Sequence, residues 1–398
     1  MSTKILAVNA GSSSLKFKLY QMPEEKVLCS GMAERIGHDD GIFTIKHRDQ
    51  KVRKIVPLPD HAVAVELLLK GLLEEKIIAS LDEIGGIGHR VVHGGKYFNT
   101  SAIFNEDTEK KIESLLDLAP LHNKPNLVGY RAFKKALPNV GHVAIFDTSF
   151  HQTMEPQDYL YPVPYEYYEK YDIRRYGFHG TSHQYLAQES MKYLQGIAEP
   201  KVIICHLGSG ASISAVKNGK CVATSMGLTP LGGIMMGTRT GDMDPSVMVF
   251  SCQKTGKSME EMYDIFNKKS GILGISGISN DTRDIEKAVA EGNERAILTN
   301  QLFVRRIVDF IGQYFVRLGG ADLIVFSAGI GENVGYYRQM ILDQLIAPFD
   351  LKIDKEKNLP LREKEAVISL PESRIKVAII PTDEEIMIAR DTISLLHL

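Results

Sequence analysis

Two glycine- and serine-rich turns contain the residues of this sequence that are best suited to bind an anion. The first lies in ILAVNAGSSSLKFKLY, where Asn9 and Gly11 precede three serines and a second apolar run. The second lies in IICHLGSGASISAV at 203–216, where His206 takes the place of Asn9. Backbone N–H groups and hydroxyls concentrated in such a turn form a concave site for phosphate. An ordinary β-hairpin also selects glycine and serine, so one turn alone is a weak signal.

The two turns occupy matching positions in the two halves of the chain. Gly11 and Gly208 are separated by about half of the 398 residues. Repetition at this spacing indicates an ancient duplication, with one hairpin opening each half. Two facing phosphate loops could hold the phosphates of a nucleotide between two domains.

Three basic side chains are placed where they could meet a phosphoryl group. Arg90 ends a strand-like run, Arg239 lies in GTRTGD, and His179 follows two arginines in RRYGFHGTSH. An arginine flanked by glycine and threonine rarely serves as a helix-surface charge, so its planar set of donors is expected to face a ligand. For any one arginine taken alone, a surface salt bridge is the more ordinary explanation.

Two carboxylates at the ends of predicted elements suit Mg²⁺ bound with phosphate. Asp147 closes the strand HVAIFD and Glu384 opens the last helix. A helix or turn cap explains either residue about as well. Two histidine pairs with four-residue spacing, HRVVH at 89–93 and HGTSH at 179–183, lack both HExxH and a third ligand, which disfavours zinc.

The common nucleotide-binding motifs are absent from the sequence. GxxxxGK[ST] does not occur, and the nearest approach to GxGxxG, GIGENVG at 329–335, is one residue too long. That segment follows a strand and precedes a helix, so its backbone could line a nucleoside. Residues 208–241 contain eight glycines, which indicates backbone that adopts positive φ or approaches a ligand closely.

Alternating strands and helices must position these residues. The strand-like runs are 4–9, 14–20, 84–92, 142–147, 201–206, 211–216, 322–328 and 375–380. Helical patterns cover roughly 60–79 with Asp60 as N-cap, a segment from Ser258 with Glu261 completing a capping box, about 293–318, and a last helix from near Asp383. This mixture indicates an α/β protein with helices covering sheets.

The composition is that of a globular protein with two to three domains. Hydrophobic residues make up 44% and charged residues 24%, and the net charge of −2 provides no global field for nucleic acid or a membrane surface. No signal-peptide core and no run of eighteen apolar residues occurs, and the four cysteines lack metal spacing. We therefore expect a cytoplasmic protein without nucleic-acid or membrane partners.

Taken together, these segments resemble the acetate kinase family. ILAVNAGSSSLK at 5–16 and IGHRVVHGG at 87–95 show the resemblance most specifically. In order along the chain they are joined by FDTSFH (146–151), RRYGFHGTSH (174–183), HLGSGAS (206–212), GTRTGD (237–242), SNDTRD (279–284), SAGIGEN (327–333) and PTDEE (381–385). One departure is Ser209, where the family commonly has Asn. Serine is a smaller donor, so a phosphate contact would change while the backbone role of the loop persists.

The resemblance implies an actin-like, sugar-kinase-type fold of two ribonuclease-H-like domains that face each other across a cleft. The first domain would comprise residues 1–149 and a returning helix at 385–398. The second, at 150–384, would bind nucleotide and form a homodimer. The implied substrates are acetate and ATP or ADP, with Mg²⁺ as the metal and Mn²⁺ as its alternative.

The resemblance also assigns roles to individual residues. Nucleotide-binding positions are Asn9 and Lys16 in the first loop, His206, Leu207, Gly208, Ser209 and Gly210 in the second, and Asp281, Thr282, Arg283, Gly329, Ile330, Gly331, Glu332 and Asn333 beyond it. The catalytic positions are Arg90, Asp147, His179 and Arg239, with His122 near the acyl phosphate. Acetate would be bound by Arg90, Val92, Leu121, Phe178 and Pro230, and Mg²⁺ by Asn9 and Glu384.

The implied reaction requires no general base, because a carboxylate nucleophile is already ionised at neutral pH. We therefore expect Asp147 to act through Mg²⁺ or a metal-bound water. Arg90, His179 and Arg239 would stabilise an in-line transition state between two anions. Val92 is bulky enough to favour acetate, although one methylene changes discrimination by only about 1–3 kcal/mol.

Three alternatives remain open at the level of sequence. A propionate kinase would use the same chemistry. A nucleotide-driven switch of the actin-like kind would bind ATP without carboxylate-dependent turnover. A sugar kinase would need a general base and a polar pocket.

Overall fold

The computed structural model describes residues 2–398; Met1 and the side chain of Leu121 lie outside the described part. The chain divides into two compact units, which we name unit 1 (Met1–Phe150 with Asp383–Leu398) and unit 2 (His151–Thr382). No helix within residues 2–398 combines the length and apolar character needed to cross a membrane.

Strands and helices alternate along both units. The strands are β1 (Thr3–Ala10), β2 (Ser14–Met22), β3 (Lys26–Glu34), β4 (His38–His47), β5 (Gln50–Leu58), β6 (Ile84–Val91), β7 (Ala102–Ile103), β8 (Gly141–Phe146), β9 (Lys201–Leu207), β10 (Ala211–Lys217), β11 (Lys220–Thr224), β12 (Leu323–Ser327), β13 (Ala366–Val367) and β14 (Lys376–Ile379). The helices are α1 (His61–Glu74), α2 (Glu106–Ser114), α3 (Pro120–Ala136), α4 (Pro156–Tyr159), α5 (Tyr165–Tyr171), α6 (Gly180–Ser190), α7 (Ser246–Thr255), α8 (Met259–Lys268), α9 (Gly271–Ser276), α10 (Thr282–Ala290), α11 (Glu294–Leu318), α12 (Ala328–Asn333), α13 (Gly335–Phe349), α14 (Lys355–Asn358) and α15 (Glu384–Leu396).

Unit 1 is built on a mixed sheet with the strand order β5-β4-β3-β2-β1-β6-β8-β7. The strands from β5 to β1 form antiparallel neighbours, whereas β6 pairs in parallel with β1 and β8. Alternating residues of β1 and β2, such as Leu6 and Phe17, pack with Leu68 of α1 and Phe133 of α3 in one buried core. The alternation found in the sequence therefore gives each strand one face toward these helices.

The other face of the unit 1 sheet is covered by α15. A Cβ atom at Gly88 of β6 would overlap Ile388 and Thr392, and one at Gly86 would lie 2.7 Å from Cδ1 of Leu396. Glycine at these positions lets the helix approach the strand closely. The same strand ends near Arg90, so the close packing fixes Glu384, the first residue of α15, relative to that arginine.

Unit 2 repeats this arrangement in the order β11-β10-β9-β12-β14-β13. An antiparallel group, β9 to β11, adjoins the parallel strands β12 and β14, as β1 to β3 adjoin β6 and β8 in unit 1. Strands β9 and β12 are buried on both faces, which is typical of parallel strands between helices. The hairpins β1–β2 and β9–β10 therefore hold equivalent places, as the predicted duplication requires.

Most of the predicted elements correspond to observed ones, and the observed caps confirm three helix starts. Asp60 accepts from the N–H of Val63 at the start of α1, Ser258 and Glu261 form the capping box of α8, and Asp383 caps α15. The first helix ends at Glu74 and not near residue 79. The chain then turns so that Ile77 and Ile78 enter the core from a loop, which a periodic pattern cannot distinguish from a helix.

The sequence did not predict β3, β4 and β5. Their inward residues alternate with charged or small ones, and Gly31 lies directly against the ring of Phe17. A strand that presents little apolar surface gives a weak signal when its neighbours in the sheet are unknown.

Candidate functional site

The first glycine–serine turn is a tight connection between β1 and β2 that is held by hydrogen bonds. The N–H of Gly11 donates to the carbonyl of Ser14 at 2.8 Å, and Nε2 of His61 donates to the carbonyl of Gly11 at 2.8 Å. Asn9 and Lys16 are cross-strand partners at the base of the turn. These two hydrogen bonds give the turn a defined shape.

Arg90 and Asp147 form a bidentate ion pair in unit 1. Nε of Arg90 lies 2.9 Å from Oδ1 of Asp147, and Nη2 lies 2.5 Å from Oδ2. The aspartate side chain is 2% exposed and the arginine side chain 22%. Burial alone would lower the pKa of Arg90, but the charge of Asp147 raises it above its ordinary value. Asp147 therefore holds the planar guanidinium in one orientation.

Glu384 shares the electrostatic environment of this pair. Burial raises the pKa of its carboxyl group to about 7, with further contributions from Asp147 and Glu385, while Arg90 and Lys16 oppose the rise. The partly buried carboxyl group thus lies among charges of both signs. Such a group is ionised at modest cost when a cation binds beside it.

The segment after Arg90 is held by two asparagines of α3. Oδ1 of Asn126 accepts from the N–H of Val92 at 3.1 Å, and its Nδ2 donates to the carbonyl of Ala10 at 2.8 Å. Asn123 bonds both the N–H and the carbonyl of His93. Helix α3 therefore links the segment after Arg90 to the end of β1, next to the first glycine–serine turn.

The remaining unit 1 predictions lie in this segment and in the first turn of α3. Val92 is buried and His122 is exposed in the first turn of α3. The backbone of Leu121 belongs to the same turn, whereas the predicted contact of its side chain lies outside the described part of the structure.

His179 occupies a left-handed conformation immediately before α6 in unit 2. Its φ angle is 57°, and Nε2 of His151 donates to the preceding carbonyl, that of Phe178, at 2.9 Å. Gly177 also has positive φ, and a Cβ there would lie 2.8 Å from the ring of His151. Positive φ in a non-glycine residue is strained and is often found at functional sites. His151 therefore stabilises the backbone that presents His179.

His179, Arg239 and Gly210 meet at one point. A Cβ on Gly210 would lie 3.4 Å from both Nε2 of His179 and Nη1 of Arg239. The rings of His179 and His206 stack, with centroids 4.3 Å apart. The second glycine–serine turn thus lies beside two of the side chains that the sequence places around a phosphoryl group.

Arg239 differs from Arg90 in having no carboxylate partner among the described residues. Nη1 donates to the carbonyl of Pro230 at 3.1 Å and contacts the sulfur of Met236. Burial lowers the pKa of the guanidinium below its ordinary value. A partly buried cation without a counter-ion strongly favours an anionic ligand.

A cavity of about 410 Å³ opens beside this point in unit 2. Its lining combines the second turn, the start of α10 and the start of α12: Gly208, Ser209, Gly237, Asn280, Asp281, Thr282, Arg283, Gly329, Ile330, Asn333 and Val334. Asp281 caps α10 and forms a bidentate pair with the exposed Arg283. Eight of the thirteen predicted nucleotide-binding residues of unit 2 line this one cavity, because three chain segments converge there.

The other predicted nucleotide-binding residues of unit 2 do not line the cavity; those described next pack or form hydrogen bonds within the protein around it. Leu207 is fully buried, and His206 bonds the hydroxyl of Ser182 at 2.7 Å. Oε1 of Glu332 accepts from the N–H groups of Ala328 and Thr382 at 2.7 and 3.1 Å. Its carboxylate therefore shapes the turn before α12, and a direct nucleotide contact by Glu332 stays a prediction.

The buried Arg338 holds the same turn from the other side. Its Nη1 donates to the carbonyls of Gly331 and Glu332 at 2.9 and 3.0 Å. Burial lowers the pKa of this guanidinium to about 10. Gly331 is also buried, so this part of the GIGEN segment faces the protein interior.

Sequence reasoning missed the residues that position the site. Asn123, Asn126, His61 and Arg338 bond backbone groups 20 or more positions away, so no local pattern reveals them. The predicted acetate-binding residues divide between the units: Val92 and Leu121 belong to unit 1, Phe178 and Pro230 to unit 2. Chemically, unit 2 presents donors for an anion beside a nucleotide-sized cavity, and unit 1 presents an oriented arginine beside two carboxylates.

The sequence and the structure both match those of known kinases. The chain matches the profile of the Acetokinase family over residues 4–390. An acetate kinase of Anoxybacillus flavithermus (strain DSM 21510 / WK1) is 53% identical over 399 residues, which covers 99% of each chain. The crystal structure of Porphyromonas gingivalis acetate kinase has a TM-score of 0.94 and 42% identity to this chain, covering 99% of this chain and 100% of that one.

A second solved structure has a different name and nearly the same fold. The crystal structure of a propionate kinase from Francisella tularensis subsp. tularensis SCHU S4 has a TM-score of 0.92 and 39% identity, again covering 99% of this chain and 100% of that one. The likeness to these structures confirms the predicted fold class, an α/β protein with two ribonuclease-H-like domains.

Proposed function

The chain belongs to the Acetokinase family, and from that premise we propose that it transfers the γ-phosphoryl group of ATP reversibly to acetate. The products are acetyl phosphate and ADP. The observation that carries the proposal is Arg239, a partly buried guanidinium without a carboxylate partner, next to His179 and the nucleotide-sized cavity. An anion with several oxygens is the ligand that such donors suit.

The chemistry is a direct displacement at phosphorus. A carboxylate oxygen of acetate forms a bond to the γ-phosphorus, and the bond from that phosphorus to the β,γ-bridging oxygen breaks, which leaves ADP. Because both reactants are anions, donors that neutralise developing charge dominate the rate. We propose that Arg90, His179 and Arg239 supply this neutralisation, with Asp147 orienting Arg90 and His122 near the acyl phosphate.

The nucleotide is proposed to bind in the unit 2 cavity with Asp281, Thr282, Arg283, Gly329, Ile330 and Asn333. Its phosphates would meet the second glycine–serine turn from His206 to Gly210, with Asn9 and Lys16 of unit 1 at the first turn. The shape of this cavity, which three separate chain segments form, supports the assignment. We also propose that Gly331 and Glu332 act here by shaping the turn.

A magnesium ion fits the donor set of unit 1. Glu384 provides a carboxylate and Asn9 an amide oxygen, and hard oxygen ligands are those that Mg²⁺ prefers. Both oxygens of Asp147 accept from Arg90, so we assign the metal to Asn9 and Glu384, with Mn²⁺ as the alternative ion. Bound Mg²⁺ would neutralise phosphate charge.

A preference for acetate over propionate depends on the size of the apolar pocket at Val92. Val92 is held in place by Asn126, which limits how far it can retreat from a longer acid. The match to a propionate kinase supports that enzyme as the second candidate. One methylene group is worth about 1–3 kcal/mol of discrimination in an apolar pocket.

A trap for acyl phosphate tests the proposal. Purified protein with ATP, MgCl₂ and hydroxylamine is incubated with acetate, propionate or butyrate, and the acyl hydroxamate is quantified. We expect product that depends on both ATP and Mg²⁺, with acetate the best substrate; a matched reaction without ATP is the control. A higher kcat/KM for propionate would assign the second candidate. No hydroxamate with any of the three acids would refute a carboxylate kinase and leave the nucleotide switch and the sugar kinase.

We further propose that the two units are the two domains of the family fold and that unit 2 forms a homodimer. Helix α7 supports the dimer, since none of its residues is buried. Phe250 is 60% exposed and Val249 is 56% exposed, and Met259 at the start of α8 is 65% exposed. A patch of this kind usually marks a protein contact, and a second copy is the partner that symmetry makes most common.

If α7 forms the dimer contact, charged residues on α7 should halve the mass of the protein in solution. Val249→Glu with Phe250→Asp should convert the protein to a monomer in light scattering coupled to size exclusion, because buried like charges would face each other across a two-fold axis. The matched control is Val316→Glu, an exposed apolar residue of α11 at 78%. An unchanged dimer in the α7 variant would contradict this placement. A cytoplasmic location stays a prediction from the sequence.

A further inference from the structure

A chain of buried hydroxyls and imidazoles extends from His179 into the core of unit 2. Nδ1 of His179 lies 2.9 Å from Oγ of Ser212, which lies 2.7 Å from Nε2 of His183. Nδ1 of His183 lies 2.7 Å from Oγ of Ser214. His183, Ser212 and Ser214 are all fully buried. We name Ser214, His183 and Ser212 the serine–histidine chain.

Only one arrangement of the protons gives every hydrogen-bond donor in this chain an acceptor. If Ser214 donates to Nδ1 of His183, then Nε2–H of His183 donates to Ser212. The hydroxyl of Ser212 in turn donates to Nδ1 of His179. Each hydroxyl and each imidazole N–H in the chain then has an acceptor. Burial, with the neighbouring His151 and His206, lowers the pKa of His183 well below its ordinary value, so its ring is neutral, as this order requires.

The reverse order leaves a proton without an acceptor. His183 would then donate from Nδ1 to Ser214, and the hydroxyl proton of Ser214 would need another partner. Among residues 2–398, the only hydrogen-bond partner of that hydroxyl is His183. A buried, unsatisfied hydroxyl donor is rare in folded proteins.

We propose that the serine–histidine chain fixes His179 as the neutral tautomer with its proton on Nε2. That nitrogen is the one that lies beside Gly210 and Arg239. His179 then offers a permanent hydrogen-bond donor at this point and has no proton to exchange at Nδ1. Ser212, His183 and Ser214 are positioning residues. The benefit for phosphoryl transfer rests on the proposed function, whereas the tautomer itself does not.

The tautomer can be measured without nucleotide or substrate. The full-length protein is labelled with ¹⁵N-histidine, and a two-bond ¹H–¹⁵N spectrum at neutral pH distinguishes protonated from bare ring nitrogens. The signals of His179 are assigned by their loss in His179→Gln. We expect a protonated Nε2 and a bare Nδ1. A protonated Nδ1, with or without a proton on Nε2, would overturn the proposal.

The variant Ser214→Ala tests the far end of the chain. It removes the donor that sets the order, so His179 should become a mixture of tautomers. The value of kcat should fall roughly 10- to 100-fold, the size of the effect when a metal-binding histidine loses its outer hydrogen-bond partner, with the KM for ATP unchanged. Ser190→Ala is the matched control, because this buried serine donates only to the carbonyl of Leu186 within α6. It should leave both spectrum and kcat unchanged.

The outcomes separate the tautomer from the proposed function. An unchanged His179 spectrum in Ser214→Ala overturns the proposal, whether or not kcat falls. A mixed tautomer with unchanged kcat in an active enzyme confirms that the chain sets the tautomer and refutes its benefit for phosphoryl transfer. If the wild-type protein makes no acyl phosphate, the proposed function fails. The wild-type spectrum then still decides the tautomer, also when Ser214→Ala does not fold.

Discussion

Replacing Arg239 with alanine is expected to lower kcat by roughly 10²–10³-fold, the usual effect of losing one preorganised donor to a transition-state oxygen. The melting temperature should change little, because within the described part of the chain the guanidinium donates only to a neutral carbonyl and contacts a sulfur. Its removal leaves no unpaired carboxylate behind. Steady-state kinetics of acyl hydroxamate formation and a thermal melt of the same preparation measure both quantities.

Arg90→Ala is the informative comparison, because it should lose both activity and stability. It leaves the carboxylate of Asp147, whose side chain is 2% exposed, without its partner. Breaking a buried ion pair costs roughly 3–5 kcal/mol, and the partial exposure of Arg90 places the loss toward the lower end. Arg90→Ala with Asp147→Asn should recover part of the stability and none of the turnover.

Arg239→Lys tests whether the planar geometry of the guanidinium matters in addition to its positive charge. Lysine keeps the positive charge but lacks the planar pair of donors, so most of the loss in kcat should persist. A kcat near that of the wild type in Arg239→Ala, measured at saturating ATP and acetate, would refute the catalytic assignment of this residue.

Glu384→Gln is expected to abolish most activity and yet raise the stability of the metal-free protein at alkaline pH. The pKa of the folded carboxyl group is raised to about 7 from an ordinary value of 4.5, chiefly by burial. The folded state therefore binds this proton more tightly than the unfolded state, and the stability gained from the bound proton is present at low pH. That gain is lost as the pH rises from about 4.5 to about 7.

The glutamine variant has no such loss. The difference in the free energy of unfolding between variant and wild type should therefore grow from about pH 4.5 to about pH 7 and become constant above pH 7. The shift corresponds to at most about 3 kcal/mol, or a few degrees in melting temperature. Melts in EDTA from pH 5 to pH 9 measure it. Glu385→Gln is the matched control, since that neighbouring glutamate pairs with Lys18 at 3.2 Å. Glu384→Gln that melts at or below the wild-type temperature at pH 8 would contradict the prediction.

The sequence alone was sufficient for features that depend on neighbours in the chain. Alternating apolar residues located the hairpins at both glycine–serine turns, and the caps at Asp60, Ser258 and Asp383 marked where helices begin. These signals are short-range: a strand shows its period within six residues, and a capping box within four. The long match to a family added an expected ligand for each of the candidate site residues.

The pairings within the site were decided only by the tertiary structure. The sequence placed Arg90 and Arg239 in one class, yet the fold gives Arg90 a buried carboxylate 57 positions away and, among residues 2–398, gives Arg239 none. It likewise directs the carboxylate of Glu332 to the N–H of Thr382, and Asn126 to the carbonyl of Ala10. These contacts join separate strands and helices, and no local propensity encodes which distant partner a polar group will meet when a sheet and its helices close around it.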